Sequence, residues 1–408
     1  MKKTFLMLGL FMMGMALLTL SCQRQTAQQE LLSYDEALIN ARGTGVNFYM
    51  WGGSATINAW IDGYVAKTVK KEFDIKLNRV PMDAEVFVNK LLTEKQAGKK
   101  TGTMDLVWIN GENFKNARQA GLIFGPIADK LPNFNAYVNP ATVEFDFGFP
   151  VENYEVPYGK AQFVFVYDSA KMERPFNSLT TLEQWVMENP GRFTYSQPPD
   201  FTGSAFIRQI FYAATGGGEQ YMQGFDEELY LKKSPLLWEY LNRIKPHLWH
   251  QGTSYPRTST ALELLFQRGE VDVNMSYYQA HAANKIMEGR YPSSARSFVM
   301  DHNSIFNNHF TAVPFNAPNL SGAMVVANFL ISPEAQLSKN NPLNWGDFTV
   351  LDMDKLPTAA KEEFQRLDLG DATLDLDLLD RHAVPEIPSD YLTRLETDWR
   401  KFVLENKN

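Results

Sequence analysis

Short apolar runs bounded by turn residues alternate along this chain with longer segments whose apolar positions recur at helical spacing. The first such unit reads Val-Asn-Phe-Tyr-Met-Trp over residues 46–51. It breaks at Gly52-Gly53 and restarts as a helix with Ser54 or Thr56 as N-cap and Asn58 in its first turns. The pattern then predicts a helix over 56–72, a strand over 74–80, a helix over 84–96 and a strand over 104–109. Asn110-Gly111-Glu112-Asn113 follows and opens another helix. Strand–helix alternation of this kind implies a largely parallel sheet flanked by helices. Ligands in such sheets sit beyond the carboxyl ends of strands, and both Trp51-Gly52-Gly53 and Asn110-Gly111-Glu112 fall at such ends. Trp108, inside its strand, is expected in the core.

Residues 126–150 are irregular and rich in Pro, Asn and aromatics. Pro157-Tyr158-Gly159 then leads into an apolar run over 162–168, which reads as a crossing from one lobe to another. A second α/β unit follows: a helix over 180–188, a strand over 192–196, and a helix opened by Phe201-Thr202-Gly203-Ser204. Small polar residues again stand at a helix start after a strand. Next come helices over 226–244 and 258–268 and a strand over 271–276 that ends in Tyr277-Tyr278. Residues 306–315 read as the return crossing. Helices over 320–330, 333–338, 359–367 and 389–404 complete the chain, and Ser332-Pro333 is a good helix start. The expected division is 1–21 signal peptide, 22–44 tether, 45–157 first lobe, 158–310 second lobe, and 311–408 return to the first lobe with C-terminal helices. The fold class is α/β, in two lobes joined by two crossings.

Length supports that division, because 408 residues exceed one average domain. A formal net charge of −8 gives no basis for nucleic-acid binding. At the N-terminus, Lys2-Lys3 precede an uncharged apolar run over 5–20, in the arrangement of an export signal. Cys22, the single cysteine, follows Ser21 directly. It has no partner for an internal disulfide, and its position resembles a bacterial lipoprotein box, with Thr19 where that pattern usually carries leucine. Membrane contact is expected through this lipid anchor alone, with the polar residues 23–30 as its tether.

Catalytic patterns are missing. There is no G-x-S-x-G, no phosphate-binding G-x-x-x-x-G-K-[ST] and no H-E-x-x-H. His247 and His250 lack a third ligand nearby, and Asp352/Asp354 and Asp375/Asp377 lack the glycine and closing Glu of a calcium loop. No catalytic residue, metal or cofactor is therefore expected. Any Asp/Glu pair that met in space would serve glycoside hydrolysis. An exported carbohydrate-active hydrolase thus stays an alternative, as does a surface lipoprotein that binds a protein partner.

The order of features resembles the type II extracytoplasmic solute-binding proteins of bacterial ABC importers. The resemblance rests on Asn47-Phe48-Tyr49-Met50-Trp51-Gly52-Gly53 with Asn58, on Asp105 through Phe114, on Val156-Pro157-Tyr158-Gly159, on Gln197 through Phe206 and on Gly322 through Gln336. It covers nearly all of the chain after the N-terminal segment and is strongest to the YnjB-like branch, related to thiamine, polyamine and ferric-iron binders. The resemblance implies capture of a small solute between two lobes and delivery to a permease driven by an ATPase. Trp51, Tyr158, Phe201, Tyr277 and Tyr278 are the expected aromatic walls, and Glu112 is a carboxylate at a cleft-facing turn. Together they favour an organic cation, thiamine-like or polyamine-like. Helix N-termini at Ser54 and Ser204 pull towards an anionic group, so a phosphorylated or zwitterionic ligand would use both. Adjacent Tyr277 and Tyr278 fit ferric iron less well, because neighbouring strand residues face opposite ways.

Overall fold

The computed structural model of the protein describes residues 32–405. The expected signal peptide, Cys22 and the first part of the tether lie outside these residues. The end of the expected tether is a helix, Tyr34–Asn40, that buries Ala37 and accepts a hydrogen bond at Tyr34 Oη from Asn328 Nδ2 (3.0 Å).

Twelve strands follow in chain order: β1 (Gly45–Met50), β2 (Lys76–Pro81), β3 (Leu106–Ile109), β4 (Ile123–Phe124), β5 (Phe145–Asp146), β6 (Phe149–Pro150), β7 (Glu155–Gln162), β8 (Val164–Asp168), β9 (Val273–Ser276), β10 (Ala295–Phe298), β11 (Ser304–Pro314) and β12 (Ala383–Pro385). The larger sheet has the order β12-β11-β3-β1-β2, with β4 and β7 also paired to β11. Its β1, β2 and β3 are parallel, as the alternation predicts. Val46, Phe48 and Met50 point inward from β1 at period two. Every residue of the Leu320–Leu330 helix is buried, and Ser332 caps the next helix by accepting from Ala335 N–H (3.1 Å).

The smaller sheet, β10-β8-β9, is antiparallel throughout. The expected strand over 192–196 does not join it. The Phe193 carbonyl takes the Trp249 N–H (2.8 Å) and the Arg192 carbonyl takes the Asp272 N–H (2.9 Å), so the run is extended but spends its backbone on loops. Helices Leu179–Glu188, Phe201–Thr215 and Glu227–Ile244 pack on this sheet through an aromatic-rich core. Tyr391, Leu395 and Trp399 of the Ser389–Trp399 helix belong to the same core.

Two lobes are joined by β7 and β11, which run antiparallel from Gln162↔Phe306 to Glu155↔Ala312, with a register shift between His309 and Phe310. The two crossings predicted from sequence are thus one ribbon.

Candidate functional site

A cavity of about 820 Å³ lies against this ribbon. Lys160 of β7 and residues 306–308 of β11 line it, with residues 139–148 and 348–353 on its walls and Pro385-Glu386 at the end of β12. Asn308 Nδ2 ties the first wall to the ribbon by donating to the Thr142 carbonyl (3.0 Å). Glu144, Asp146, Asp352, Asp380 and Glu386 face this space with Lys160 as the single cation, and Lys160 is paired with Asp380 at 2.9 Å. The lining is therefore acidic.

Beside it lies a buried polar centre. Arg208 gives Nε to Glu386 Oε2 (2.7 Å) and Nη2 to Glu386 Oε1 (2.6 Å), and the Tyr277 hydroxyl adds a third donor to Oε1 (2.5 Å). Ser204 Oγ accepts from Arg208 Nη1 and donates to Glu396 (both 2.6 Å). Phe201 packs on Tyr277 (4.9 Å) and on Phe147 (6.4 Å), whose ring covers Gly111. Four predicted residues, Gly111, Phe201, Ser204 and Tyr277, thus converge on a pair that sequence reasoning did not name. One signal pointed to it: Arg208 is the lone charge in the apolar helix Phe201–Thr215, and a buried guanidinium requires a carboxylate. Glu386 and Asp146 carried no local signal.

The other predicted residues have different settings. Gly52 and Gly53 are required by self-contact. A Cβ on Gly53 would lie 2.2 Å from the Trp51 ring and one on Gly52 2.8 Å from Pro81. Trp51 itself is half exposed, and Asn58 Nδ2 closes the turn on the Gly52 carbonyl (2.9 Å). Ser54 caps its helix by accepting from Ile57 N–H (3.4 Å), and one turn along Thr56 reaches Glu288 (3.3 Å). Asn110 accepts from Trp108 Nε1 (2.9 Å) and donates to the Asn308 carbonyl (2.7 Å). Glu112 is turned away, bonded to Thr393 on the last helix (2.9 Å). Thr202 is buried, and Gly203 lies so close to the Ser196 carbonyl that a Cβ would come within 1.9 Å. Strand β9 ends at Ser276, yet the two tyrosines part: Tyr277 goes to Glu386, while Tyr278 packs edge-on to His281 (5.2 Å).

Tyr158 is fully buried in an aromatic stack with Trp108, His309 and Trp345, ring centres 5.5–6.2 Å away. Trp108 is only half-buried, with its ring turned into this stack instead of a closed strand core. Behind it Lys339 Nζ reaches the carbonyls of Tyr158 and Phe348 and pairs with Asp347 (2.8 Å), which His309 also contacts at 3.2 Å. Burial opposes ionisation of Asp347, but Lys339 and His309 outweigh it and hold its carboxyl below the usual value. The need for Gly159 is here: a Cβ would fall 2.0 Å from Asp347 Oδ2. Trp345 also accepts at its carbonyl from Asn284 Nδ2 (2.8 Å), so the 341–347 loop bridges the ribbon and the Ala280–Asn284 region.

The start of the Phe201–Thr215 helix, one of the two expected to favour an anion, already meets a carboxylate, and so does the start of the Gly111–Gln119 helix. Asp146 accepts from Gly111 N–H, and Asp200 from Gly203 N–H (3.0 Å). Their partial positive charge is spent inside the protein.

A family model described as bacterial extracellular solute-binding protein matches residues 64–343. Protein YnjB of Escherichia coli strain K12 is 36% identical over 334 residues, 81% of this chain and 86% of its own. Among solved structures, the spermidine/putrescine ABC transporter substrate-binding protein PotD of Streptococcus pneumoniae superposes with a TM-score of 0.59 at 15% identity, covering 87% of this chain and 97% of that one. A periplasmic thiamin binding protein does so with a TM-score of 0.56 at 17% identity, covering 88% and 96%. At such identities the likeness carries the fold, and that fold is two-lobed. The family match, and the lobes joined by the ribbon, lead to one conclusion: the chain belongs to the bacterial extracellular solute-binding proteins.

Proposed function

We propose that the captured solute is a small organic cation, held in the cavity against the β7–β11 ribbon and passed unaltered to a membrane permease driven by a P-loop ATPase. The acidic lining carries this reading: of its five carboxylates Asp380 is paired with Lys160 and Glu386 with Arg208, which leaves Glu144, Asp146 and Asp352 without a cation among the described residues. Phe145, Phe147, Phe306 and Phe348 supply aromatic faces in the same space, and cations bind such faces. The names of the two solved structures, a polyamine and a thiamin binder, agree with a cationic solute. Ferric iron is a poorer fit, because Tyr277 is committed to Glu386 and Tyr278 turns to His281. Trp51 and Tyr278 are assigned to the outer rim, and Gly111, Phe201, Ser204 and Tyr277 to the floor beside Glu386. Cys22 is the proposed lipid anchor, which keeps the binder at the membrane and raises its concentration near the permease.

The test is thermal unfolding with putrescine, spermidine, thiamine, citrate and glucose 6-phosphate. At least one cation should raise Tm in a dose-dependent way, and Trp51→Ala should reduce that shift. Stabilisation by the anions alone would overturn the cation reading. Cleavage of a glycan, with no ligand stabilising the fold, would favour the hydrolase.

A further inference from the structure

Asp146 sits where a solute carboxylate partner is needed, and part of it is unspent. It lines the cavity, is only 2% exposed, and accepts the Gly111 N–H at Oδ2. Oδ1 has no partner among the described residues. The residue is presented by a two-residue hairpin turn between β5 and β6 in which Phe147 and Gly148 have φ of +45° and +70°. Asn and Gly are the usual occupants of such turns. A phenylalanine with a left-handed backbone is strained, and strain of this kind concentrates at functional sites. The Phe147 ring is held on Gly111 and lies 5.7 Å from the Arg208 guanidinium, so the turn is fixed from both sides.

The charged and titratable groups around Asp146 set its preference. Glu386 faces the same cavity but is satisfied by Arg208 and Tyr277. Glu155 of β7 is fully buried with both carboxylate oxygens unpartnered. Burial and the nearness of Asp146 push its carboxyl well above the usual value, against the weaker pull of Arg118. Arg208 is occupied by Glu386, and Lys160 by Asp380. Asn110 and the Gly111 N–H are the groups that favour charge on Asp146 itself. Among the described residues no Lys or Arg is paired with Asp146.

Resting on the cation reading above, we propose that Asp146 receives the cationic nitrogen of the solute, and that it does so in exchange for a proton. The exchange is non-covalent: the carboxyl proton passes to solvent as the ammonium or other cationic nitrogen takes its place beside the carboxylate. Burial pushes the Asp146 carboxyl up to about 7 against the opposing pull of Gly111 and Asn110. Capture is then proton-linked near neutrality. Above that value the carboxylate is already formed and binding releases no proton. Below it each bound solute displaces close to one, and affinity falls by up to about tenfold per pH unit.

The test is isothermal titration of putrescine, spermidine and thiamine into the full protein at pH 6, 7 and 8, in buffers of different ionisation enthalpy. The expected result is a tighter complex at pH 8 than at pH 6 by about tenfold, with close to one proton released at pH 6, about half at pH 7 and close to none at pH 8. Asp146→Asn keeps an acceptor for Gly111 N–H. It should bind at least about tenfold more weakly at pH 8 and lose both the pH slope and the proton release. The proton measurement on the unmutated protein needs no variant to fold. Cation binding that is pH-independent, or equally tight in Asp146→Asn, overturns the assignment while leaving the cation reading intact. Binding of no cation at any pH overturns both.

Discussion

Single atoms decide a surprising share of this architecture. Gly159 owes its place to space, because the Lys339–Asp347 pair occupies the position of its absent Cβ. Gly159→Ala is expected to force that buried pair apart and destabilise the protein by about 2–4 kcal/mol, measured by urea unfolding. Unchanged stability would mean the ribbon moves aside at no cost. Arg208→Ala leaves Glu386 buried with its Tyr277 donor alone, and a loss of about 3–5 kcal/mol is expected. A loss below about 1 kcal/mol would show that water replaces the guanidinium. Arg208 was not read from the sequence, although a lone charge inside an apolar helix must be answered and could have marked it. Asp146 and Glu386 were illegible, because they stand 240 positions apart and neither differs in its local sequence from a solvated carboxylate.

At the scale of elements the sequence was more readable. The 84–96 and 320–330 helices fall at the residues that the pattern predicts. What local pattern does not encode is who pairs with whom. The 192–196 run has strand character, yet its carbonyls are claimed by Trp249 and Asp272. Likewise the Gly52-Gly53 turn looks built for a ligand's approach, whereas the groups that crowd it are Trp51 and Pro81. Of the expected site, the residues at the start of the Phe201–Thr215 helix and Tyr277 meet in space. Glu112 is bound to Thr393, and Tyr158 is enclosed by aromatic rings and Lys339.

For the whole molecule, the buried carboxyls make stability a function of pH. The folded chain holds the Asp146 proton up to about 7, against an ordinary value of 3.8 when unfolded. The native state therefore binds more protons than the unfolded state between those values. The contribution of Asp146 is at its most favourable below about pH 4 and is lost as pH rises to about 7, by at most about 1.4 kcal/mol per unit. Urea unfolding of the solute-free protein should show Asp146→Asn gaining on the unmutated protein across that window and holding a constant advantage above it. A constant difference at every pH would mean the carboxyl titrates normally. Trp60 and Trp108 each meet Trp345, with ring centres 5.6 and 5.9 Å from it, and the Trp345 carbonyl is tied to Asn284. The protein thus carries its own optical gauge: any motion that draws Asn284 away from that loop changes the polarity and ring contacts of three indoles at once, and their emission with it.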